Sequence, residues 1–543
     1  MYKSFAAGLC SLTYLPFSSA RGLPHYRPGH GEDSCNRSYE ASPGPGVESY
    51  EIGGNGTTYW PYYIFKSSHF NPPVWEINAT GEPLAPGFIF TTPSDFSTTP
   101  VVKQPAPQIF TSEGQLVWSG PAVNATNFKW QDFDGAPTLT YWSGVSSAGG
   151  NTGHGYGNVT FLDTSYDVQY VVCPDLGLVI PGDVSEVCQA DIHESYVTDR
   201  NTILVSAYNS TPADLSSVNG STSGHVFDCL FFEIDPKSGE ILFRWSALEH
   251  VPVTDSHEPL HETGGATVPF DYFHINSVVN IGEYYLVNSR HTWTVYLLDR
   301  QGNIVWRFAG DTGGDFGALP DGGTFRWQHH PRPHNVTDTA FDLSIFNNNN
   351  QAVDNSSSHP TDVLVYHLPY QPNNATPPVL RRNLQTSPPL FADSQGSYQA
   401  DLANGNQFVN FGQLPLIKEY GPATDGSDVR WTGRAGPDNL VQLYRSFKKF
   451  WHATPSTKPS LVVLPHSNSS SQSKGYVSWN GATDVTGWNV YEGASQRSLH
   501  FVGQIGVRGF ETQFDVACWA EYVQVGAIVN GTEVRKSEVI STS

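Results

Sequence analysis

One short pattern recurs along this chain and constrains its fold more than any other feature. Ile109-Phe-Thr-Ser-Glu-Gly-Gln-Leu-Val-Trp118, Phe232-Glu-Ile-Asp-Pro-Lys-Ser-Gly-Glu-Ile-Leu-Phe243 and Leu298-Asp-Arg-Gln-Gly-Asn-Ile-Val-Trp306 each read as strand, turn, strand. In all three, a turn glycine is followed four residues later by an aromatic that ends an apolar pair. Tyr420 to Trp431 repeats the pattern more loosely around Asp425-Gly426. Glycine suits such turns because it takes positive φ without a Cβ penalty. Repetition of one hairpin along a chain is the signature of radially repeated β architecture, and we read these units as the outer hairpins of successive propeller blades.

A second element lies upstream of the hairpins. A histidine begins a strand, and a following strand ends 15 to 18 positions later in a small or polar cluster: His193 leads to Ser206-Ala-Tyr-Asn209, His274 to Asn288-Ser-Arg-His291, and His329 to Ile345-Phe-Asn-Asn348. A fourth copy lacks the histidine, Gln395-Gly-Ser-Tyr398 leading to Val409-Asn-Phe-Gly412. If the first strand of each blade lines the central channel, His193, His274 and His329 face one another across a funnel. His154, His257 and His261 read instead as loop or turn residues.

Composition agrees with an all-β chain. The 51 Gly and 39 Pro punctuate short runs rich in Val, Ile, Tyr, Phe and Trp, and long Ala/Leu/Glu/Lys stretches are absent. Helix is expected only in short places such as Asn439 to Phe450. With 29 Lys+Arg against 51 Asp+Glu the net charge is −22, and no basic cluster occurs. That argues against nucleic acid and against anionic membrane surfaces, both of which select cationic faces. No stretch approaches the length of a membrane span.

The first residues, Met1-Tyr2-Lys3, an apolar stretch from Phe5 to Phe17, then Ser18-Ser19-Ala20, read as a secretory signal peptide, 1–20. Twelve Asn-X-Ser/Thr sequons fit a secreted or lumenal glycoprotein: Asn36, Asn55, Asn78, Asn124, Asn158, Asn209, Asn219, Asn335, Asn355, Asn374, Asn468 and Asn530. With Cys10 in the signal, five cysteines remain, Cys35, Cys173, Cys188, Cys229 and Cys518, so one is unpaired. Cys173 and Cys188 flank a Pro/Gly loop and are the expected disulfide. No Cys/His spacing suggests zinc, and neither metal nor cofactor is expected.

Tyr141-Trp-Ser-Gly144, Asp191-Ile-His-Glu194, Phe232-Glu-Ile-Asp235, Asp271-Tyr-Phe-His-Ile-Asn-Ser277, Ser289-Arg-His-Thr292, Ile304-Val-Trp-Arg307, Gln328-His329 and Tyr444-Arg445 together resemble the arylsulfotransferase family in its secreted fungal branch. The resemblance runs from about residue 85 to 460. Bacterial members are six-bladed propellers that move a sulfuryl group from an aryl sulfate to a phenol through a histidine, with no nucleotide donor. By motif, the resemblance implies His329 as nucleophile, with Arg290, His274 and His193 binding sulfate oxygens and assisting the leaving phenolate. The chain departs from the family at His329-His330-Pro331, where an acidic residue commonly follows the histidine, and at Phe346-Asn347-Asn348, where Phe-Asp-Asn is common. Both departures bear on what orients the nucleophile.

Some fungal relatives act instead as hetero-Diels-Alderases, joining a tropolone-derived o-quinone methide to a macrocyclic terpene alkene. The candidate pocket suits that chemistry, with Tyr208, Trp293, Trp327 and Phe346 as walls and His330 and Asn348 as polar contacts. The resemblance therefore places cycloaddition of small aromatic and terpenoid substrates first. Sulfuryl transfer comes second, and a non-catalytic glycan- or protein-binding propeller third.

The expected organisation is a signal at 1–20, an N-terminal segment at 21–84 in which Tyr63 to Ser68 pairs with the last blade, and a propeller at 85–458 with six blades preferred over five. A β-sandwich of immunoglobulin or fibronectin III type follows at 459–543. Its strands alternate in period two through Val477 to Thr483, Trp488 to Tyr491, Gly509 to Thr512 and Tyr522 to Val529.

Overall fold

A computed structural model describes residues 43–54, 58–95, 100–146, 153–181, 186–350, 359–372, 377–400, 402–465 and 473–543. The expected signal peptide, Cys10 and Cys35, and the sequons at Asn36, Asn55, Asn355, Asn374 and Asn468 lie outside the described residues. Among the described residues helix is confined to three 3-10 turns, Ser216–Val218, Val253–Asp255 and Gly314–Phe316.

Six antiparallel sheets follow one another along the chain. Sheet 1 takes Phe88–Thr91, Gln108–Phe110 and Leu116–Ser119, and its first edge strand is Phe447–Lys449 from far downstream. Sheet 2 holds Ala125–Phe133, Ala136–Ser146, Gly155–Leu162 and Val168–Val172. Sheet 3 holds Ser195–Val197, Ile203–Ala213, Gly224–Ile234 and Ile241–Ser246. Sheet 4 holds Ile275–Ile281, Tyr284–Ser289, Thr294–Leu298 and Ile304–Ala309. Sheet 5 holds His329–His334, Ala340–Asn347, Asp362–Pro369 and Val379–Leu384. Sheet 6 holds Ser397–Gln399, Gln407–Asn410, Leu416–Tyr420 and Val429–Arg434, with Glu76–Ala79 added outside.

The core lies between the sheets. Phe128 and Leu139 of sheet 2 pack with Phe90 and Trp118 of sheet 1, and equivalent clusters join sheets 2 and 3, 3 and 4, 4 and 5, and 5 and 6. Phe408 and Trp431 of sheet 6 meet Ile89 and Phe110 of sheet 1. With both faces covered, the strands read as continuous apolar runs, and every residue of Thr294–Leu298 is buried.

Three of the repeated hairpins are the outer pair of their sheets, the fourth is covered on its outer side by Glu76–Ala79, and their glycines, Gly114, Gly239, Gly302 and Gly426, have φ between 75° and 87°. Two outer-strand tryptophans reach across to the next turn. Trp245 Nε1 donates to the Gly302 carbonyl at 3.1 Å and Trp431 Nε1 to the Ser112 carbonyl at 2.9 Å.

Two expectations fail. Asn439 to Phe450 is not helical, because Asn439 is left-handed at φ 62° and the chain then extends to supply Phe447–Lys449 to sheet 1. Burial of Lys448 against Glu419 at 2.7 Å outweighs local propensity there. Likewise Tyr63 to Ser68 does not join the last sheet. Tyr62–Ile64 pairs with Glu51–Gly53, and Glu76–Ala79 takes that place.

After Pro459, Ser460–Leu464, Ser473–Ser478 and Glu511–Val516 form one sheet, whose edge is Val47–Glu48 from the N-terminal segment. Val485–Ser495, Ser498–Gly506, Tyr522–Val529 and Thr532–Lys536 form another. Leu461, Val477, Trp488, Phe514 and Val525 give the two a shared core. Cys173 and Cys188 are bonded and Cys229 is a buried free thiol. Of the described sequons, Asn78, Asn219, Asn335 and Asn530 are exposed, whereas Asn124, Asn158 and Asn209 are partly buried.

Candidate functional site

In a four-stranded antiparallel sheet the start of the first strand and the connection between the second and third lie at the same end. His193, His274 and His329 stand at or just before the first strands of sheets 3, 4 and 5. Arg290, His291 and Trp293 occupy the second-to-third connection of sheet 4, Asn348 that of sheet 5, and His154 that of sheet 2. Topology thus gathers these side chains at one end of the sheets.

Two carboxylates organise the histidines. Asp191 Oδ1 lies 2.5 Å from His193 Nδ1 and also accepts from the Ser206 hydroxyl at 3.3 Å. Asp271 Oδ2 lies 2.6 Å from His274 Nδ1 and 3.0 Å from His154 Nε2. Ring centroids of His193 and His274 are 4.7 Å apart, and His154 is 5.2 Å from His274. Tyr208 packs on His154 at 3.9 Å and donates its hydroxyl to the Ile275 carbonyl. With Nδ1 directed at a carboxylate, His193 and His274 keep the proton there and expose Nε2 as a proton acceptor. Burial holds His274 well below its ordinary range despite Asp271. Burial would raise the Asp271 carboxyl, but His274, His154 and His291 more than offset it and hold it well below the usual value.

Arg290 is 7% exposed. Its guanidinium donates to His291 Nε2 at 2.8 Å and to the Asp393 carbonyl at 3.1 Å, and lies over the Trp327 ring at 5.1 Å. Among the described residues it makes no ion pair, and its Nε has no hydrogen-bond partner. Burial lowers the guanidinium, while Glu258, Asp271 and Asp393 support it from a distance.

His329 is oriented by an amide. Asn348 Nδ2 donates to the Ala392 and Gln395 carbonyls at 2.9 and 3.1 Å, so its Oδ1 is the atom facing His329 Nδ1 at 2.7 Å. The Nδ1 proton is therefore fixed, and the Nε2 lone pair accepts the Gln395 N–H at 3.2 Å. Burial and then Arg290 keep the ring neutral, well below its ordinary pKa. Asn348 thereby supplies the orientation that an acidic neighbour would give elsewhere. Backbone strain concentrates here too, with φ of 54° at His274, 51° at Trp293, 56° at Trp327 and 64° at Gln395. Such bulky left-handed residues cost on the order of 1–3 kcal/mol each and collect at functional sites.

Other expected residues divide. Trp327 lies under Arg290, and Trp293 stacks on His257 at 3.6 Å beside it. Phe346 is not a pocket wall: it is fully buried between sheets 5 and 6, 5.9 Å from Phe411. His330 alternates away from His329 and accepts the Tyr398 N–H at 3.4 Å. It lines a cavity of about 600 Å³ at the opposite end of the sheets, with Trp130, Tyr196, Tyr398, Phe447 and Lys129 among its walls.

Between the two ends sits Glu194, fully buried, with Arg332 at 2.7 Å, Arg445 at 2.9 Å, Lys129 at 3.2 Å and the Ser277 hydroxyl at 3.3 Å. Burial favours its neutral form, yet Arg332, Arg445 and Lys129 keep it ionised far below the usual range. Burial depresses Lys129 to about 7, against the pull of Glu194. Sequence reasoning passed over Asp191, Asp271, His291 and Glu194 as site residues and read His154 as a loop residue. The Asp-X-His and Asp-X-X-His spacings were the available signal.

A model of the family described as arylsulfotransferase (ASST) matches residues 129–435. No curated protein matches the chain. Among solved structures, a mutant of the GH43 protein BlXynB from Bacillus licheniformis aligns at 8% identity over 78% of this chain and 91% of that one, with a TM-score of 0.29. The WD40 domain of Toxoplasma gondii coronin aligns at 7% identity over 86% and 89%, with a TM-score of 0.28. The periplasmic gluconolactonase PpgL of Pseudomonas aeruginosa aligns at 10% identity over 84% of this chain and 96% of that one, with a TM-score of 0.24. Likeness at that level carries no conclusion about fold or substrate.

Proposed function

This chain belongs to the arylsulfotransferase (ASST) family, whose model spans more than half of its length, and from that premise we propose that it moves a sulfuryl group between aryl oxygens through His329. The supporting observation is Arg290: a buried guanidinium with no carboxylate in ion-pair contact among the described residues, beside a neutral imidazole clamped at Nδ1 by Asn348. A buried cation lacking its counter-ion is costly unless an anion completes it.

In this reading the sulfuryl oxygens lie against Arg290. His329 Nε2 releases the Gln395 N–H and attacks sulfur as the S–O bond to the aryl group breaks, and the phenolate leaves with Arg290 offsetting its charge. An acceptor phenol then gives its proton to Nε2 of a carboxylate-backed imidazole, His274 or His193, as its oxygen takes the sulfuryl group and the N–S bond breaks. The resting proton positions favour this base role over direct sulfate binding by His193 and His274. The test is turnover of a chromogenic aryl sulfate with a phenol acceptor. We expect activity in wild type and its loss in His329→Ala; an active His329→Ala sinks the proposal.

One observation favours a second reading, the hetero-Diels-Alder cycloaddition of the fungal branch. The 600 Å³ cavity has aromatic walls and hydrogen-bond donors, and its size suits two joined substrates. Catalysis there would need Lys129 and His330 rather than His329. Accelerated, stereocontrolled adduct formation from an o-quinone methide precursor and a cyclic terpene, unaffected by His329→Ala, would favour it.

We also read the six sheets as blades of a closed propeller, because sheet 6 shares a core with sheet 1 and the first strand of sheet 1 comes from the stretch of chain that follows sheet 6. The two C-terminal sheets are read as a sandwich of immunoglobulin or fibronectin III type, and the protein as secreted and glycosylated. Intact mass before and after glycosidase tests secretion; retention of Met1 without a glycan shift contradicts it.

A further inference from the structure

We propose that His154, Asp271 and His274 hold a divalent transition-metal ion. Their donor atoms converge: His154 Nε2 and His274 Nδ1 lie 3.0 and 2.6 Å from the same Asp271 oxygen, and all three atoms fall within 4.8 Å of one another. A second such set, His154, Asp191 and His193, shares His154. The donors come from separate stretches of chain, the second-to-third connection of sheet 2 and the approach to sheet 4, so their meeting is a product of the fold rather than of local sequence. Zinc–ligand distances of about 2.0–2.2 Å place tetrahedral donors about 3.4 Å apart, so the 2.6 and 3.0 Å contacts to Asp271 would open by up to about 0.8 Å to admit the ion.

Charge supplies the second, independent observation. Asp191 and Asp271 are 1% and 6% exposed, and among the described residues the only side chains within ion-pair distance of either are histidines. Of the buried cations, Lys129, Arg332 and Arg445 turn to Glu194, Lys448 to Glu419, and Arg290 reaches Asp271 only from a distance. Imidazoles face both carboxylates, with the Ser206 hydroxyl and the Gly155 and His193 N–H groups also on Asp191, and a doubly charged ion would offset the two negative charges. Two nitrogens and one carboxylate oxygen suit zinc, cobalt or iron and not the all-oxygen shells of calcium and magnesium. Tyr208 and Phe227, packed on His154 at 3.9 and 4.8 Å, would exclude water from one side. The expectation of no metal, drawn from Cys/His spacing, does not reach this set, whose ligands are far apart in sequence. Coordination through His274 Nδ1 displaces the proton held there and leaves Nε2 protonated, so in the metal-loaded protein the base role proposed above falls to His193, while His329 and Arg290 are untouched.

The experiment loads the full chain, carrying no histidine tag, with Zn²⁺, removes unbound metal by gel filtration and measures metal by mass spectrometry. About one equivalent is expected in wild type and in His329→Ala, and less than about a tenth in His154→Ala and Asp271→Asn. Because those two variants can misfold, Co²⁺ titration of wild type is the second measurement, with a saturable visible absorption band expected. Wild type that retains under about a tenth of an equivalent and gives no cobalt band overturns the inference, leaving a plain hydrogen-bonded network. Stoichiometric zinc that persists in folded Asp271→Asn and His154→Ala overturns it as well. Zinc retention without aryl sulfate turnover would refute the proposed function alone, and turnover by metal-free protein would leave that function standing while this site fails.

Discussion

Replacing Glu194 with glutamine removes the one carboxylate that, among the described residues, pairs with a group of three buried cations. The contacts it loses are Arg332 at 2.7 Å, Arg445 at 2.9 Å and Lys129 at 3.2 Å. At an effective dielectric of about 20, each such contact is an attraction of roughly 5–6 kcal/mol before desolvation and cation repulsion are counted. Lys129 has an escape, since burial already brings it to about 7 and loss of the carboxylate lets it deprotonate. Two arginines have none. We therefore expect Glu194→Gln to destabilise by about 3–5 kcal/mol, as breaking a buried ion pair does. The partners come from sheets 2 and 5 and from the approach to the first strand of sheet 1, so the loss should fall on the six-sheet unit as a whole. Urea unfolding followed by tryptophan fluorescence at pH 7.5 measures it. A Glu194→Gln loss under about 1 kcal/mol with an unchanged denaturant slope would refute the reasoning.

Glu492 is buried with one carboxyl oxygen lacking a hydrogen-bond partner among the described residues, and burial raises it from 4.5 to about 7. The folded state then holds a proton that the unfolded state releases, so this group's contribution falls as pH rises from about 4.5 to 7 and is flat above. Glu492→Gln should remove that slope and gain up to about 3 kcal/mol at pH 8 with little change at pH 4.5, read by thermal melts at both; an unchanged slope contradicts it. Arg290→Met should lower kcat/KM for an aryl sulfate by about 10²–10³-fold while leaving the melting temperature nearly intact. A large stability loss with no effect on turnover would make Arg290 structural.

The repeat was legible because its signal is local. A turn glycine and an aromatic four residues on announce a hairpin wherever it ends up, and the three hairpins that carry this spacing sit at the outer edge of their sheets. His193, His274 and His329 were legible for the same reason, each marking the start of a first strand. What escaped was set by partners distant in sequence. His154 looks like a turn residue until Asp271, 117 positions away, accepts from it. Glu194 is an unremarkable acid in an Asp-Ile-His-Glu motif until the fold brings Arg445 from 251 positions away. Phe346 fits a pocket by composition, but alternation along its strand turns it into the core between sheets 5 and 6. Extension of the chain after Asn439 follows from closing sheet 1, which local propensity does not encode.

The central claim is that His329 carries the transferred group, and the direct measurement is a trapped intermediate. Wild type would be mixed with an aryl sulfate in the absence of acceptor, quenched in alkali, where N-sulfohistidine survives, and digested for peptide mass mapping. The account predicts a sulfuryl adduct on the peptide containing His329, its disappearance on adding a phenol, and its absence from His329→Ala. Turnover with no adduct at His329, or an adduct on another residue that persists in His329→Ala, would contradict it.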